Sequence, residues 1–215
     1  MNRVCDLKLT VRETGLADFV RLYQNQERYL AYCRECDNYG AKWSCPPMGL
    51  DTAEFLSHYS YVTVAAVQVV YNEDVIASTP ENQVKDVTLN TLMPVKAAFH
   101  DAMLNVEREV PGSITLSSGG CTICRQCTRP DGVPCRQPSR MRYSLDSFGF
   151  DLSAITEDLL GIKLLWCRGK LPAYYTLIHA LLERKPMDGV VEQVVLRQLF
   201  ASDECRENSL RDRSR

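Results

Sequence analysis

Apolar residues recur at helical spacing between residues 14 and about 32, at Leu16, Phe19, Val20, Tyr23 and Leu30, with Thr14 or Gly15 as a start. This pattern predicts a single helix that delivers the chain into a cysteine-rich stretch. Asp51 can cap a short helix over 52–58. The run YVTVAAVQVVY over 61–71 is β-branched and apolar on both faces, as a buried strand requires. Residues 72–82 read as a polar loop. Pro94 suits the first turn of a helix whose face carries Val95, Phe99, Ala102, Met103, Val106 and Val110, stopped by Pro111-Gly112.

Ile114 and Leu116 form a short strand after that helix. Strand, helix and strand then make a crossover unit whose two strands should lie parallel. Residues 138–147 and 152–160 have helical spacing. Residues 162–167 and 173–182 read as a hairpin around Arg168-Gly169-Lys170, although 174–182 also fits a buried helix. A last amphipathic helix covers 189–200. The charged segment 204–215 should be a disordered tail. The expected fold is α+β: one domain over 1–203 with a small mixed, partly parallel sheet, flanking helices and two cysteine-rich metal loops.

Composition narrows the function. The chain has 215 residues, 45% of them hydrophobic, and a formal net charge of −2, so no global charge points to nucleic acid. The beginning MNRVCDLKLTVRE has no uninterrupted apolar stretch, and 62–71 is too short to span a bilayer. The expectation is a cytoplasmic protein with neither a nucleic-acid nor a membrane partner. Ten cysteines in that setting need a reason, because a reducing cytosol leaves thiols available for metals or redox work. Seven of them cluster: Cys33, Cys36 and Cys45, then Cys121, Cys124, Cys127 and Cys135.

The second cluster has the spacing C-x2-C-x2-C-x7-C. Three cysteines at steps of three let a compact loop reach several corners of a cubane, and the run is related to the C-x2-C-x2-C-x3-C-P of bacterial ferredoxins. It departs from that run in its last gap and in having Pro134 before Cys135. A self-contained [4Fe-4S] cluster is therefore the reading, with zinc the main competitor and a metal-free thiol or disulfide loop the third. Gly119 and Gly120 would let backbone N–H groups approach cluster sulfurs, or simply end the strand. Arg125, Arg129, Arg136, Arg140 and Arg142 surround the thiols with Asp131 alone opposed to them. They would stabilise an anionic cluster, dock an acidic redox partner, or form a solvated face.

The first cluster, C-x2-C-x8-C, supplies three ligands and no local fourth. A three-cysteine [4Fe-4S] site would leave one iron open. Otherwise a remote cysteine completes it, Cys167 being the best placed, then Cys5, then Cys205. His58 keeps a Cys3His zinc site open, against a plain capping role. Tyr39, Trp43, Pro46 and Pro47 would shield the metal, or pack a small satellite core.

Taken together, Cys33, Cys36, Tyr39, Gly40, Trp43, Cys45, Pro46 and Pro47, with Cys121, Cys124, Cys127, Pro134, Cys135, Arg136 and Pro138, resemble the bacterial and archaeal family of uncharacterised predicted metal-binding proteins. Arg142, Ser144 and Phe148-Gly149-Phe150-Asp151 resemble the segment that follows in that family. The likeness spans roughly residues 14–182 and leaves out the tail beyond about 183. It implies metal binding, with iron-sulfur expected, and names no reaction.

The expectation carried forward is an iron-sulfur protein. Cys121, Cys124, Cys127 and Cys135 hold an electron-transfer [4Fe-4S] cluster, and Cys33, Cys36 and Cys45 form a second metal site with a cluster or a small ligand. A redox partner protein is left open, and the rival is a structural zinc interaction module. A thiol redox protein lacks its βαβ context. The C-x3-C-x2-C spacing of radical chemistry, a phosphate loop, a dinucleotide fingerprint and a nucleophile elbow are all absent from the sequence.

Overall fold

The computed structural model describes residues 4–187 and 189–200; the tail expected at 204–215, and Cys205 with it, lie outside the described residues. A strand absent from the expectations opens the fold. β1, Cys5–Gly15, places Cys5, Leu7, Leu9 and Val11 on one face and Asp6, Lys8 and Arg12 on the other, a period of two that is plain in the sequence. Two helices follow instead of one: α1 (Leu16–Tyr23) and α2 (Gln26–Arg34). The break at Gln24 and Asn25 has a physical cause. Asn25 accepts from the Arg28 N–H as the cap of α2, its own N–H bonds to the Gly149 carbonyl at 2.8 Å, and Gln24 bridges Phe150.

α3, Thr52–Ser57, is capped by Asp51, which accepts from the N–H groups of Ala53 and Glu54. β2 runs over Tyr61–Tyr71, as its composition predicts. The polar segment after it is not a loop throughout but contains α4, Glu73–Ser78. α5 then spans Val84–Glu109, so Pro94 sits in the middle of a 26-residue helix and not in its first turn. The proline costs the bond to the Asn90 carbonyl. Apolar burial through Val95, Phe99, Ala102, Met103 and Val106 holds the helix across it.

β3, Ile114–Leu116, forms, but it does not lie beside β2. It pairs antiparallel with β4, Tyr174–Glu183, giving the order β1-β2-β4-β3 in a four-stranded sheet with every strand pair antiparallel. The expected parallel crossover is thus wrong. β4, whose Ile178, Ala180 and Leu182 match the pleat of β2, inserts between the two strands. It is a strand, not a helix, yet no partner strand forms over 162–167 and the expected hairpin is absent among the described residues. Residues 138–147 are irregular up to a tight turn at Leu145–Phe148. The 152–160 helix forms as α6, Leu152–Ala154, continued by a wide turn over Ile155–Leu159. The last helix is α7, Val190–Val195, with a similar widening over Leu196–Phe200.

Both faces of the sheet are covered. On one, Ala65, Val67, Val69, Leu177 and Leu181 pack against α5 and α7. On the other, Val62, Val64, Ala66, Ile178 and Ala180 pack against Phe19, Leu145, Phe148, Phe150 and Ile155. The cysteine loops lie where β3 ends, between the α5 side and the segment 144–150.

Candidate metal centre

The second loop follows directly from β3 and has little regular structure beyond one turn at Arg129–Asp131. Cys121, Cys124, Cys127 and Cys135 nevertheless line a single small cavity, together with Trp43, Thr128 and Met141. No carboxylate or imidazole lines it. Burial raises the Cys121 thiol above its ordinary range, and Cys135, Cys124 and Cys127 add to the rise because their charges lie close by.

In the first loop, Cys33 belongs to the last turn of α2, Cys36 is exposed and Cys45 is buried. Burial pushes the Cys33 thiol up to about 11, with Asp146, Cys45 and Cys36 contributing in that order. Cys45 is raised for the same first reason, and Asp146 and Cys36 act on it too. The three thiols therefore share one neighbourhood, and the carboxylate in it is Asp146. Cys33 Sγ faces the Asp146 carbonyl at 4.0 Å, and Asp146 Oδ1 is buried without a hydrogen-bond partner.

Among the described residues, none of the remote candidates for a fourth ligand sits there. Cys167 is exposed and its thiol points at the Lys170 carbonyl, 3.6 Å away. Cys5 is buried at the outer end of β1, opposite Tyr71. His58 is exposed and bonds through Nδ1 to the Glu54 carbonyl at 2.8 Å, which is the capping role. As they stand, no three His, Cys, Asp or Glu side chains among the described residues are grouped tightly enough to hold one metal ion.

The two loops interlock. Arg129 of the second loop donates to the carbonyls of Lys42 and Cys45, both at 2.5 Å, and to that of Pro47, while its guanidinium lies over the Trp43 ring, 5.4 Å from the centroid. Trp43 returns the contact, donating from Nε1 to Thr128 Oγ1 and the Val133 carbonyl, each at 3.3 Å. Ser44, fully buried, accepts the Cys121 N–H on its hydroxyl at 2.8 Å, and the same hydroxyl lies 3.5 Å from Cys45 Sγ. Its carbonyl takes the Ser144 N–H and the Ser147 hydroxyl, at 2.9 and 3.0 Å. A Cβ on Gly120 would fall 2.9 Å from the end of the Asn38 side chain, so the two loops approach closely at this glycine. Gly149 is required more strictly, with φ +75 and a virtual Cβ 2.6 Å from the backbone Cα of Gln26.

The arginines are less free than the sequence made them look. Arg140 pairs with Asp101 at 2.7 Å, and Arg142 forms a two-pronged pair with Glu107. With Arg129 given over to carbonyls and Arg136 donating to the Gln126 carbonyl at 3.3 Å, four of the five have structural partners, two of them carboxylates on α5 far away in sequence. Lys96, also on α5, donates to the Gly120 carbonyl at 2.8 Å; burial lowers its pKa, opposed by the nearby Cys121, Asp146 and Cys45.

The family model for predicted metal-binding protein (DUF2284) matches residues 21–181, a range that takes in both cysteine loops and the 144–151 segment that locks them. The chain belongs to that family. No curated protein and no solved structure is significantly similar to the chain. In this member of the predicted metal-binding family, the interlocked loops carry seven of the cysteines, a residue type whose thiolate suits soft metals. No helix among the described residues is long and apolar enough to cross a membrane. Sequence reasoning missed Ser44, Lys96 and Asp146, and their signal was weak. Ser44 sits inside the first block, Asp146 lies between Ser144 and Ser147, and Lys96 interrupts the apolar face of α5.

Proposed function

We propose that the protein is a two-centre iron-sulfur protein that passes single electrons. Cys121, Cys124, Cys127 and Cys135 would hold a [4Fe-4S] group, and Cys33, Cys36 and Cys45 a second one, with Asp146 as the nearest further donor. The observation that carries the reading is the four-thiol cavity of the second loop. Four thiols spaced C-x2-C-x2-C-x7-C surround it without a carboxylate or imidazole, a donor set suited to an iron-sulfur group. Such a group supplies one-electron transfer when bound.

The chain's own part is then positional. Trp43 and Met141 line the second centre and would limit water's access to a group held there. Arg129 fixes the loop spacing, and the Ser44 hydroxyl connects Cys45 Sγ to the Cys121 N–H, a short bonded route between the two thiol groups. The unpartnered Asp146 Oδ1 supports a carboxylate donor at the first centre, which neither Cys5 nor Cys167 reaches. Chemical analysis of anaerobically purified protein tests the reading. About eight iron and eight sulfide per chain are expected from two clusters. Stoichiometric zinc without sulfide overturns it in favour of a structural zinc module.

A further inference from the structure

Beside Cys121 lies a second hollow of about 150 Å³, which shares Cys121 and Ile123 with the four-thiol cavity. Lys96, His100, His179, Ser118 and Ile123 contribute to its wall, and the Cys121 side faces both cavities. None of the proposed electron-transfer chemistry uses it.

His179 stands in β4 with no exposed surface, and neither of its ring nitrogens has a hydrogen-bond partner. Its ring packs on Phe99, with centroids 4.3 Å apart. Burial drives its pKa well below the ordinary histidine value, so the ring is neutral and presents one N–H and one lone pair. A buried, unpartnered donor lining a cavity is a demand for a ligand or a water. Lys96 meets the same cavity, and among the described residues no carboxylate forms an ion pair with it. The two arginines in the wall are already tied to Asp101 and Glu107. Asp101, in the same wall, is taken up by Arg140, so Lys96, which donates to the Gly120 carbonyl, is the wall's cation without a carboxylate partner.

We infer that this hollow binds a small monocarboxylate, held by the Lys96 ammonium and the His179 ring N–H, against Cys121. The size is right: a cavity of about this volume accepts a benzene-sized molecule, roughly six heavy atoms. A doubly charged oxyanion fits worse. It would meet that single cation, and backbone donors near the strand end are occupied, the Cys121 N–H by Ser44 and the Ile178 N–H by the Ser118 hydroxyl at 3.1 Å. Ala97 and Ile123 instead offer apolar contact for a short carbon chain. Binding itself is independent of the metal; only the placement of the carboxylate next to a redox centre rests on the reading above.

The test is calorimetric titration of the anaerobically purified protein with acetate, propionate, pyruvate and inorganic phosphate at constant ionic strength. At least one carboxylate should saturate a single site per chain. Lys96→Met should weaken it at least about ten-fold, the loss expected for one charge-assisted hydrogen bond. Lys85→Met, at an exposed position on the same helix, should leave it unchanged. Because Lys96→Met could unfold the loops, nitrogen NMR of the histidine rings in the unaltered protein gives a second reading, with the His179 signals shifting on carboxylate addition. Absence of saturable binding by every carboxylate, phosphate binding more tightly than all of them, or a silent His179 would overturn the inference. Iron and sulfide are measured on the same preparation. Binding without iron counts against the redox reading alone, and iron without binding counts against this inference alone.

Discussion

The first cysteine loop takes Cys33 from the end of a regular helix, buries Cys45 and leaves Cys36 exposed, whereas the second strings four half-buried thiols along nearly irregular chain. One inherits its geometry from α2, and the other borrows its geometry from its neighbour. The second loop is complete in sulfur but is shaped from outside, by Trp43 and Ser44 and by its own Arg129 reaching across. The first is incomplete in sulfur but better supported, and its nearest further donor, Asp146, comes from a turn locked to Ser44. What the contrast teaches is that ligand count and loop rigidity are supplied by different parts of the chain.

Substituting ligands breaks the comparison most sharply. Cys124→Ser should remove the metal of the second centre while leaving the first loaded, so iron and sulfide fall by about half. Cys36→Ser should do the reverse, with a smaller loss if Asp146 and the two remaining thiols, Cys33 and Cys45, retain part of the group. Loss of all metal from either variant would mean the centres do not load separately. Arg129→Met tests the coupling. Removing a guanidinium with three carbonyl partners and a stacked indole should cost about 3 kcal/mol in denaturant unfolding and lower metal occupancy in both loops. An unchanged midpoint would show that the loops are not interlocked in solution.

A change far from the loops serves as the control. Glu183 on β4 is buried, both its oxygens lack partners, and burial lifts its pKa to about 7. The folded state favours the neutral acid, so this contribution to stability is complete below the ordinary glutamate range and is lost as pH rises through about 7. Glu183→Gln should stabilise the protein by about 1–3 kcal/mol at pH 8 and hardly at all at pH 4, read from urea midpoints at each pH. Metal content should not change. The smallest effect belongs to Asp146→Asn, which should alter the spectrum of the first centre with little loss of metal at either.

The sequence carried the core of this account unevenly. β2 and the apolar face of α5 were legible because their burial follows one dominant period. β1 was equally periodic and went unread as a strand, its alternation at Cys5, Leu7, Leu9 and Val11 being amphipathic where β2 is apolar throughout. The parallel arrangement failed because strand order depends on β4, which arrives much later in the chain and outcompetes the local pairing. The grouping of the seven cysteines within each loop followed from spacing. That the two groups adjoin did not, since it depends on Ser44, Arg129 and Ser144, residues whose types are too common to mark a contact across a hundred positions.

The most direct test of the central claim is electron paramagnetic resonance of anaerobically purified protein before and after dithionite reduction. Two adjacent centres predict a reduced signal broadened by their interaction, which narrows to that of a single cluster in Cys36→Ser. A colourless protein with no signal in either state, or a single unbroadened signal unaffected by Cys36→Ser, would contradict it.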